Sequence, residues 1–213
     1  MKNILLFCIC LFGAASSLPA QQPDAREILD RTATAFRQAG GIESNFTIDT
    51  HRKGTPVRTS AGLINLKGEK FFLNAEGVKT WFDGRTQWSY LVDSDEVNIS
   101  DPTPEELQSI NPYVLLSIYK QGYSAKLGTT ATYEGKPVYE VVLTASGKQQ
   151  DLQSIILYVT KDRFQPLYVK MTQKGGDYVI IRVTSYQPGQ TYNDALFVFD
   201  KRTFPTAEVI DLR

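Results

Sequence analysis

The sequence predicts a mainly β protein in which about eleven antiparallel strands form a barrel or a strongly curved sheet, together with short helices. Tight-turn pairs recur at short intervals, as at Lys67-Gly68, Glu76-Gly77 and Asp83-Gly84, and the segments between them are rich in β-branched and aromatic residues. Helix signals interrupt this pattern between residues 101 and 122, after which it resumes. Curvature is expected because a flat sheet of this width would be unusual.

The first residues predict export from the cytoplasm. Residues 1–20 combine a basic start at Lys2, an apolar stretch over residues 4–15 and a small residue at Ala20, which is the pattern of a secretory signal peptide. Cleavage is expected after Ala20, and Ser17 is the alternative site. The apolar stretch is too short to anchor the chain stably in a bilayer.

The mature chain, residues 21–213, is expected to fold as one domain without disulfides. Cys8 and Cys10 are the only cysteines and both lie in the predicted signal peptide, so the fold has to rely on an apolar core. Removing Lys2 from the 23 basic residues leaves 22 against 23 acidic residues, a net charge near −1. Because long basic runs are also missing from the sequence, we expect no nucleic-acid partner.

A helix is predicted at the start of the mature chain. Asp24 followed by Glu27 forms a capping-box pattern, apolar residues then recur on one helical face, and Gly40-Gly41 ends the helix. Apolar and polar residues next alternate with the period of two that is typical of strands. Six strands are expected, at residues 42–51, 59–67, 69–76, 78–83, 86–92 and 95–100.

Two short helices are predicted where the strand pattern is interrupted. Thr103 and Glu106 form a second capping box around Pro104, and Asn111-Pro112 repeats the signal of a cap followed by proline. Apolar residues of the second helix share one face, and Gly122 suits its C-terminal end. Five further strands are expected, at residues 123–130, 136–145, 153–161, 166–174 and 177–187.

Residues suited to catalysis or metal binding are sparse in this sequence. His51 is the only histidine, which excludes a histidine metal cluster and favours its interpretation as a solvated loop residue. Glu105 and Glu106 point in different directions on a helix, so we interpret them as first-turn residues that favour the helix dipole. The sequence therefore predicts no enzyme activity, no cofactor and no metal site.

The order of these elements resembles that of the LolA family of outer-membrane lipoprotein carriers, over nearly the whole mature chain. The motifs that carry the resemblance are Phe46-Thr47 in the first strand, Gly62-Leu63-Ile64-Asn65-Leu66-Lys67 in the second, Asp83-Gly84-Arg85-Thr86 followed by Trp88 and Tyr90, and Asn111-Pro112-Tyr113-Val114-Leu115-Leu116 in the helix that matches the family's lid. One position departs from the family. Proteobacterial relatives carry an arginine directly after the lysine that matches Lys67, and this arginine tethers the lid. This chain has Gly68 at that position, so its attachment of the lid must differ or be missing.

The resemblance implies an incomplete antiparallel β-barrel, mainly β with an α lid, whose mouth is closed by short helices. It also implies a monomeric periplasmic carrier that shields the acyl chains of lipoproteins, or another lipid, in an apolar cavity. Such a carrier would take its cargo from an inner-membrane lipoprotein-releasing ABC complex and give it to an outer-membrane acceptor. The alternative is a periplasmic lipid-sensing or protein-binding regulatory module of the same fold, and an enzyme is the third class.

A cavity for acyl chains is expected on one face of the sheet, because apolar residues recur with period two on neighbouring strands. The predicted lining consists of Phe46, Ile48, Ile64, Leu66, Phe71, Leu73, Trp81, Trp88 and Tyr90 from the strands, with Leu115, Leu116 and Tyr119 from the lid. Trp81 and Phe82 are alternatives to each other, since a shift of one residue moves every side chain to the opposite face.

Overall fold

Helix α1 (Ala25–Gln38) begins where the capping box predicts it, with Asp24 accepting the backbone N–H of Glu27 at 2.7 Å. The apolar stripe of the helix, which includes Ile28, Leu29 and Phe36, is buried. The computed structural model describes residues 23–107, 118–120, 122–147 and 150–213. In those ranges, no helix combines the length and the apolar character needed to cross a membrane.

Thirteen strands make up most of the described chain, together with α1 and three short helical segments. The strands are β1 (Gly41–Arg52), β2 (Thr55–Lys67), β3 (Lys70–Ala75), β4 (Val78–Phe82), β5 (Gln87–Leu91), β6 (Glu96–Ser100), β7 (Tyr123–Leu127), β8 (Thr132–Tyr133), β9 (Lys136–Ala145), β10 (Leu152–Thr160), β11 (Pro166–Gln173), β12 (Tyr178–Gln190) and β13 (Glu208–Asp211). The short helical segments are α2 (Pro104–Leu107) and 3₁₀ helices at Ile118–Lys120 and Asp194–Phe197. All eleven predicted strands are confirmed, and β8 and β13 are additional.

The strands form one wide antiparallel sheet, in the order β13-β6-β5-β4-β3-β2-β1-β12-β11-β10-β9-β7, with β8 paired to β9. The long strands β1 and β12 pair in the middle and join the two halves of the sheet. The C-terminal strand β13 is the exception to the antiparallel pattern, because it runs parallel to β6. The end strands β13 and β7 do not pair with each other, so the sheet stays open in the described chain, as an incomplete barrel requires.

One face of the sheet, here called the inner face, packs against α1. Ile42, Leu66, Phe71 and Phe82 of β1 to β4 belong to the same buried cluster as Phe36 of α1. On the other half of the sheet, the cluster continues through Val141, Leu143, Ile155, Leu157, Val169 and Met171. The opposite side is called the outer face.

A second apolar core lies on the outer face of β3 to β6, beneath the C-terminal segment of residues 192–213. Phe197 and Val97 are completely buried there, and Ala207 nearly so. The rings of Phe199 and Phe204 contact that of Trp81 at centroid distances of 5.5 and 5.7 Å. The C-terminal segment therefore stabilises one half of the sheet from outside.

Lysines at the β2–β3 turn hold the start of this segment in place. Lys67 Nζ donates to the Tyr192 carbonyl and to Asp194 Oδ1, each at 2.8 Å. Lys70 Nζ donates to Asp194 Oδ2, also at 2.8 Å, and these two lysines lower the pKa of the Asp194 carboxyl to about 2. Lys67, which matches the lysine of the family's second strand, therefore contacts the C-terminal segment.

Candidate functional site

The six predicted cavity residues of β1 to β3 share the inner face. Leu66 pairs directly with Phe71, and Ile64 pairs with Leu73, so each pair points to the same side of the sheet. Phe46 pairs with Gly62, two residues from Ile64, and Ile48 follows on the same side of β1. The six residues therefore share one face, as the period-two alternation indicates, and their lining of a cavity stays a prediction.

Burial of this apolar surface decreases along the strands. Phe71 is fully buried and Leu66 is 2% exposed, at the end of the sheet nearest the connection from α1 to β1. Ile48, Leu73 and Ile181, further along, are only partly buried although they pack against the same cluster. The inner face is thus tightly packed at one end and only partly covered by described residues at the other.

The contact between Phe46 and Gly62 fixes the shape of this partly covered region. A Cβ atom placed on Gly62 would lie 2.5 Å from the Phe46 ring and 3.0 Å from the Ala75 Cβ, so the ring lies directly across the glycine. The φ angle of Gly62 is not positive, which means that close approach rather than backbone conformation requires glycine here.

Three predicted cavity residues, Trp81, Trp88 and Tyr90, lie instead on the outer face. Phe72, which points away from its neighbour Phe71, pairs with Trp81, and Trp81 pairs with Trp88. Tyr90 lies two residues further along β5 and stacks on Phe204 at 4.5 Å. The prediction that they share a face with the residues of β1 to β3 was wrong, because period-two spacing defines the two faces of a strand without specifying which face is covered.

The inner face of β4 to β6 carries a group of polar residues that was not predicted from the sequence. Thr80 pairs with Ser89, and Ser89 pairs with Asn98. In the adjacent row, Gln87 pairs with Ser100 on one side and with Phe82 on the other. The signal was present in the sequence, since these polar residues alternate with the aromatic and aliphatic residues that form the second core.

The predicted lid is only partly within the described residues, because Leu115 and Leu116 lie outside them. Tyr119 is 9% exposed, and its hydroxyl donates to Asp30 Oδ1 of α1 at 2.7 Å. Burial, followed by this hydrogen bond, raises the pKa of Tyr119 to about 12. Lys120 Nζ lies 3.6 Å from the same Asp30 oxygen. The end of the predicted lid is therefore attached to α1.

An open groove of about 700 Å³ lies on the solvent side of α1 rather than on the apolar inner face. Its lining mixes charges of both signs with one aromatic ring, and includes Glu27, Asp30, Arg31 and Phe164. Arg31 pairs with Glu27 and lies over the Phe164 ring at 5.4 Å. Because charged side chains make up much of its lining, the groove offers little to a ligand made mainly of hydrocarbon.

His51 lies on the outer face, where its ring stacks on that of Tyr178 at 4.4 Å. It is a strand residue rather than the loop residue that the sequence predicted. Within the residues that the structure describes, no three His, Cys, Asp or Glu side chains come together as a metal site would require.

Comparisons with known proteins give a family match and a shared fold. The model of a family described as outer membrane lipoprotein carrier protein LolA matches residues 16–177. An uncharacterized protein of Methanocaldococcus jannaschii is 22% identical over 173 residues, which are 80% of this chain and 51% of that protein. This chain thus spans about half the length of that relative.

A solved structure shows the same fold at low sequence identity, and a second is a weaker match. An uncharacterized conserved protein from Thermus thermophilus superimposes with a TM-score of 0.59 and 18% identity, covering 88% of this chain and 98% of that one. A LolA superfamily protein from Nitrosomonas europaea has a TM-score of 0.44 and 13% identity, covering 83% of this chain and 98% of that one.

Proposed function

The chain belongs to the outer membrane lipoprotein carrier protein family LolA, and from this we propose that it is a periplasmic carrier of acylated lipoproteins or another lipid. It would act as a single-domain monomer, exported by a cleaved signal peptide. Its donor would be an inner-membrane lipoprotein-releasing ABC complex, and its acceptor would lie at the outer membrane. In this role the chain binds and releases its cargo without catalysing a reaction.

The observation that carries this proposal is the partial covering of the apolar inner face. Ile48 and Leu73 belong to a surface that is continuous with the buried core, yet they remain partly exposed among the described residues. Acyl chains that lie on such a surface gain about 0.8 kcal/mol for each methylene removed from water. Because the sheet is open, cargo can enter and leave without unfolding of the packed end.

Binding can be tested with the full chain and a matched pair of variants. The protein should be isolated from the periplasm and examined by native mass spectrometry, and displacement of a fluorescent fatty acid should then give the affinity. Leu73→Asp places a charge on the apolar inner face, at a cost of a few kcal/mol for a desolvated charge, and should weaken probe binding at least about tenfold. Asn74→Asp is the control, since the adjacent Asn74 is exposed on the outer face.

The outcome that contradicts the proposal is clear in both measurements. Protein that carries no bound lipid and binds no fluorescent fatty acid at micromolar concentration would not be a lipid carrier. A carrier and a sensor are separated by transfer of an acylated lipoprotein to acceptor vesicles, because a carrier must release cargo that a sensor keeps. Bound lipid without any transfer would favour the regulatory alternative.

A further inference from the structure

Polar side chains on the inner face of β4 to β6 form a continuous patch beside the apolar rows. We call Thr80, Gln87, Ser89, Asn98 and Ser100 the polar patch. One row runs from Ile64 and Leu73 into Thr80, Ser89 and Asn98, and the next runs from Leu66, Phe71 and Phe82 into Gln87 and Ser100. Neighbouring strands are about 4.8 Å apart, so the polar patch begins one strand away from apolar inner-face residues.

Within the described residues, one atom of the polar patch, Gln87 Oε1, has no hydrogen-bond donor. Gln87 Nε2 donates to Ser89 Oγ at 3.2 Å, but its Oε1 is buried and accepts no hydrogen bond from the described chain. Buried polar atoms are nearly always hydrogen-bonded, since an unsatisfied one loses its contacts with water without compensation. The missing group is a donor, because a carbonyl oxygen can only accept.

The inner face of β4 to β6 carries little charge and no cationic side chain. The side chains that β4 to β6 place there include one carboxylate, that of Glu96, and neither lysine nor arginine. An anionic head group would therefore be partly desolvated with no cation to pair with it. An uncharged group that donates and accepts hydrogen bonds meets both requirements.

We propose that the polar patch binds the uncharged polar head of an amphiphile, a hydroxyl or an amide, whose acyl chains lie on the apolar inner face of β1 to β3. This inference rests on the proposed lipid-binding function and adds a specificity for the head group. Asn98 supplies two donors and one acceptor, Ser89 and Ser100 supply hydroxyls, and the Gln87 Oε1 atom receives the ligand's donor. The polar patch thus sets the orientation in which the ligand lies across the sheet.

The test compares ligands that share one acyl chain and differ in the head. A monoacylglycerol, the corresponding methyl ester and the corresponding fatty acid anion compete with a fluorescent fatty-acid probe for the full-length protein. The monoacylglycerol should bind at least about fivefold more tightly than the methyl ester, which accepts hydrogen bonds but cannot donate them. It should also bind more tightly than the anion. A fatty amide tests the second source of the same chemistry and should resemble the monoacylglycerol.

Variants connect this preference to the polar patch. Asn98→Leu should reduce the preference for monoacylglycerol over methyl ester to within about twofold, because the Asn98 side chain supplies several of the hydrogen bonds to the head group. Asn74→Leu makes the same change on the outer face of β3 and should keep the preference. If Asn98→Leu fails to fold, Ser89→Ala decides, since it removes only a hydroxyl.

The results separate the two proposals. Equal binding of all three head groups, or tightest binding of the anion, would overturn the polar patch while leaving lipid binding intact. A preference that survives in a folded Asn98→Leu or Ser89→Ala variant would also overturn it. Failure of every ligand to displace the probe, or of the probe to bind, would instead refute the proposed function.

Discussion

Replacing Trp81 with alanine distinguishes a core residue from a cavity residue. Trp81 is 8% exposed, and its ring contacts Phe72, Phe199 and Phe204 at centroid distances of 5.3, 5.5 and 5.7 Å. Truncating a buried tryptophan leaves a void and typically costs about 3 to 5 kcal/mol. Since a domain of this kind is stable by about 5 to 15 kcal/mol in total, the loss should be large. Affinity for a fatty-acid probe should stay within about twofold, because the ring faces away from the apolar inner face.

Urea unfolding followed by circular dichroism measures the first effect, since Trp81 is one of only two tryptophans and its removal changes the fluorescence itself. Leu73→Ala is the matched control on the inner face of the neighbouring strand. Leu73 is only partly buried, so its truncation should weaken probe binding at a smaller cost in stability. About tenfold weaker binding in a Trp81→Ala protein of unchanged urea midpoint would refute the assignment of Trp81 to the second core.

Three further changes have defined outcomes. Tyr119→Phe should flatten the fall in melting temperature between pH 10 and 12. The raised pKa of Tyr119, about 12, means that the stabilisation from its neutral hydroxyl, which donates to Asp30, is lost over this range. Equal slopes of melting temperature against pH in the variant and the parent protein would contradict this. Asp194→Asn should flatten the fall in melting temperature between about pH 4 and 2. The stabilisation by the Asp194 carboxylate, paired with Lys67 and Lys70, is lost as the pH falls towards its pKa of about 2. An unchanged dependence of melting temperature on pH in acid would contradict this. Gly62→Val should lower the free energy of unfolding by about 1 to 3 kcal/mol by displacing Phe46, and an unchanged urea midpoint would refute the contact.

The strands and the first helix could be predicted because their signals are local. Asp83 Oδ1 accepts the backbone N–H groups of Arg85 and Thr86, both at 2.9 Å, and Gly84 has a φ of +102°. The residues that make this turn are therefore the ones that the sequence shows side by side. The same holds for the capping box of α1, whose two partners are three residues apart.

The assignment of faces failed where it depended on residues distant in sequence. Trp81 is an outer-face residue because Phe199 and Phe204, more than a hundred residues away, cover that side of the sheet. Strand β13 carries only four residues and pairs with β6 in parallel, so it has neither the length nor the hairpin turn that identifies a strand. Period-two alternation divides a strand into two faces, but the covering segment decides which face is buried.

The second core also explains how an open sheet can leave part of its apolar surface for a ligand. Contacts that must separate to admit a ligand cannot supply stability in the loaded state, so stability has to come from surfaces that the ligand does not touch. Among the described residues, the inner face is tightly packed at its end near α1, whereas Phe197, Val97 and Ala207 are buried on the opposite side of β3 to β6. Loss of the second core should therefore unfold the half of the sheet that carries the polar patch, even though the residues of the second core lie on the outer face and the ligand lies on the inner face.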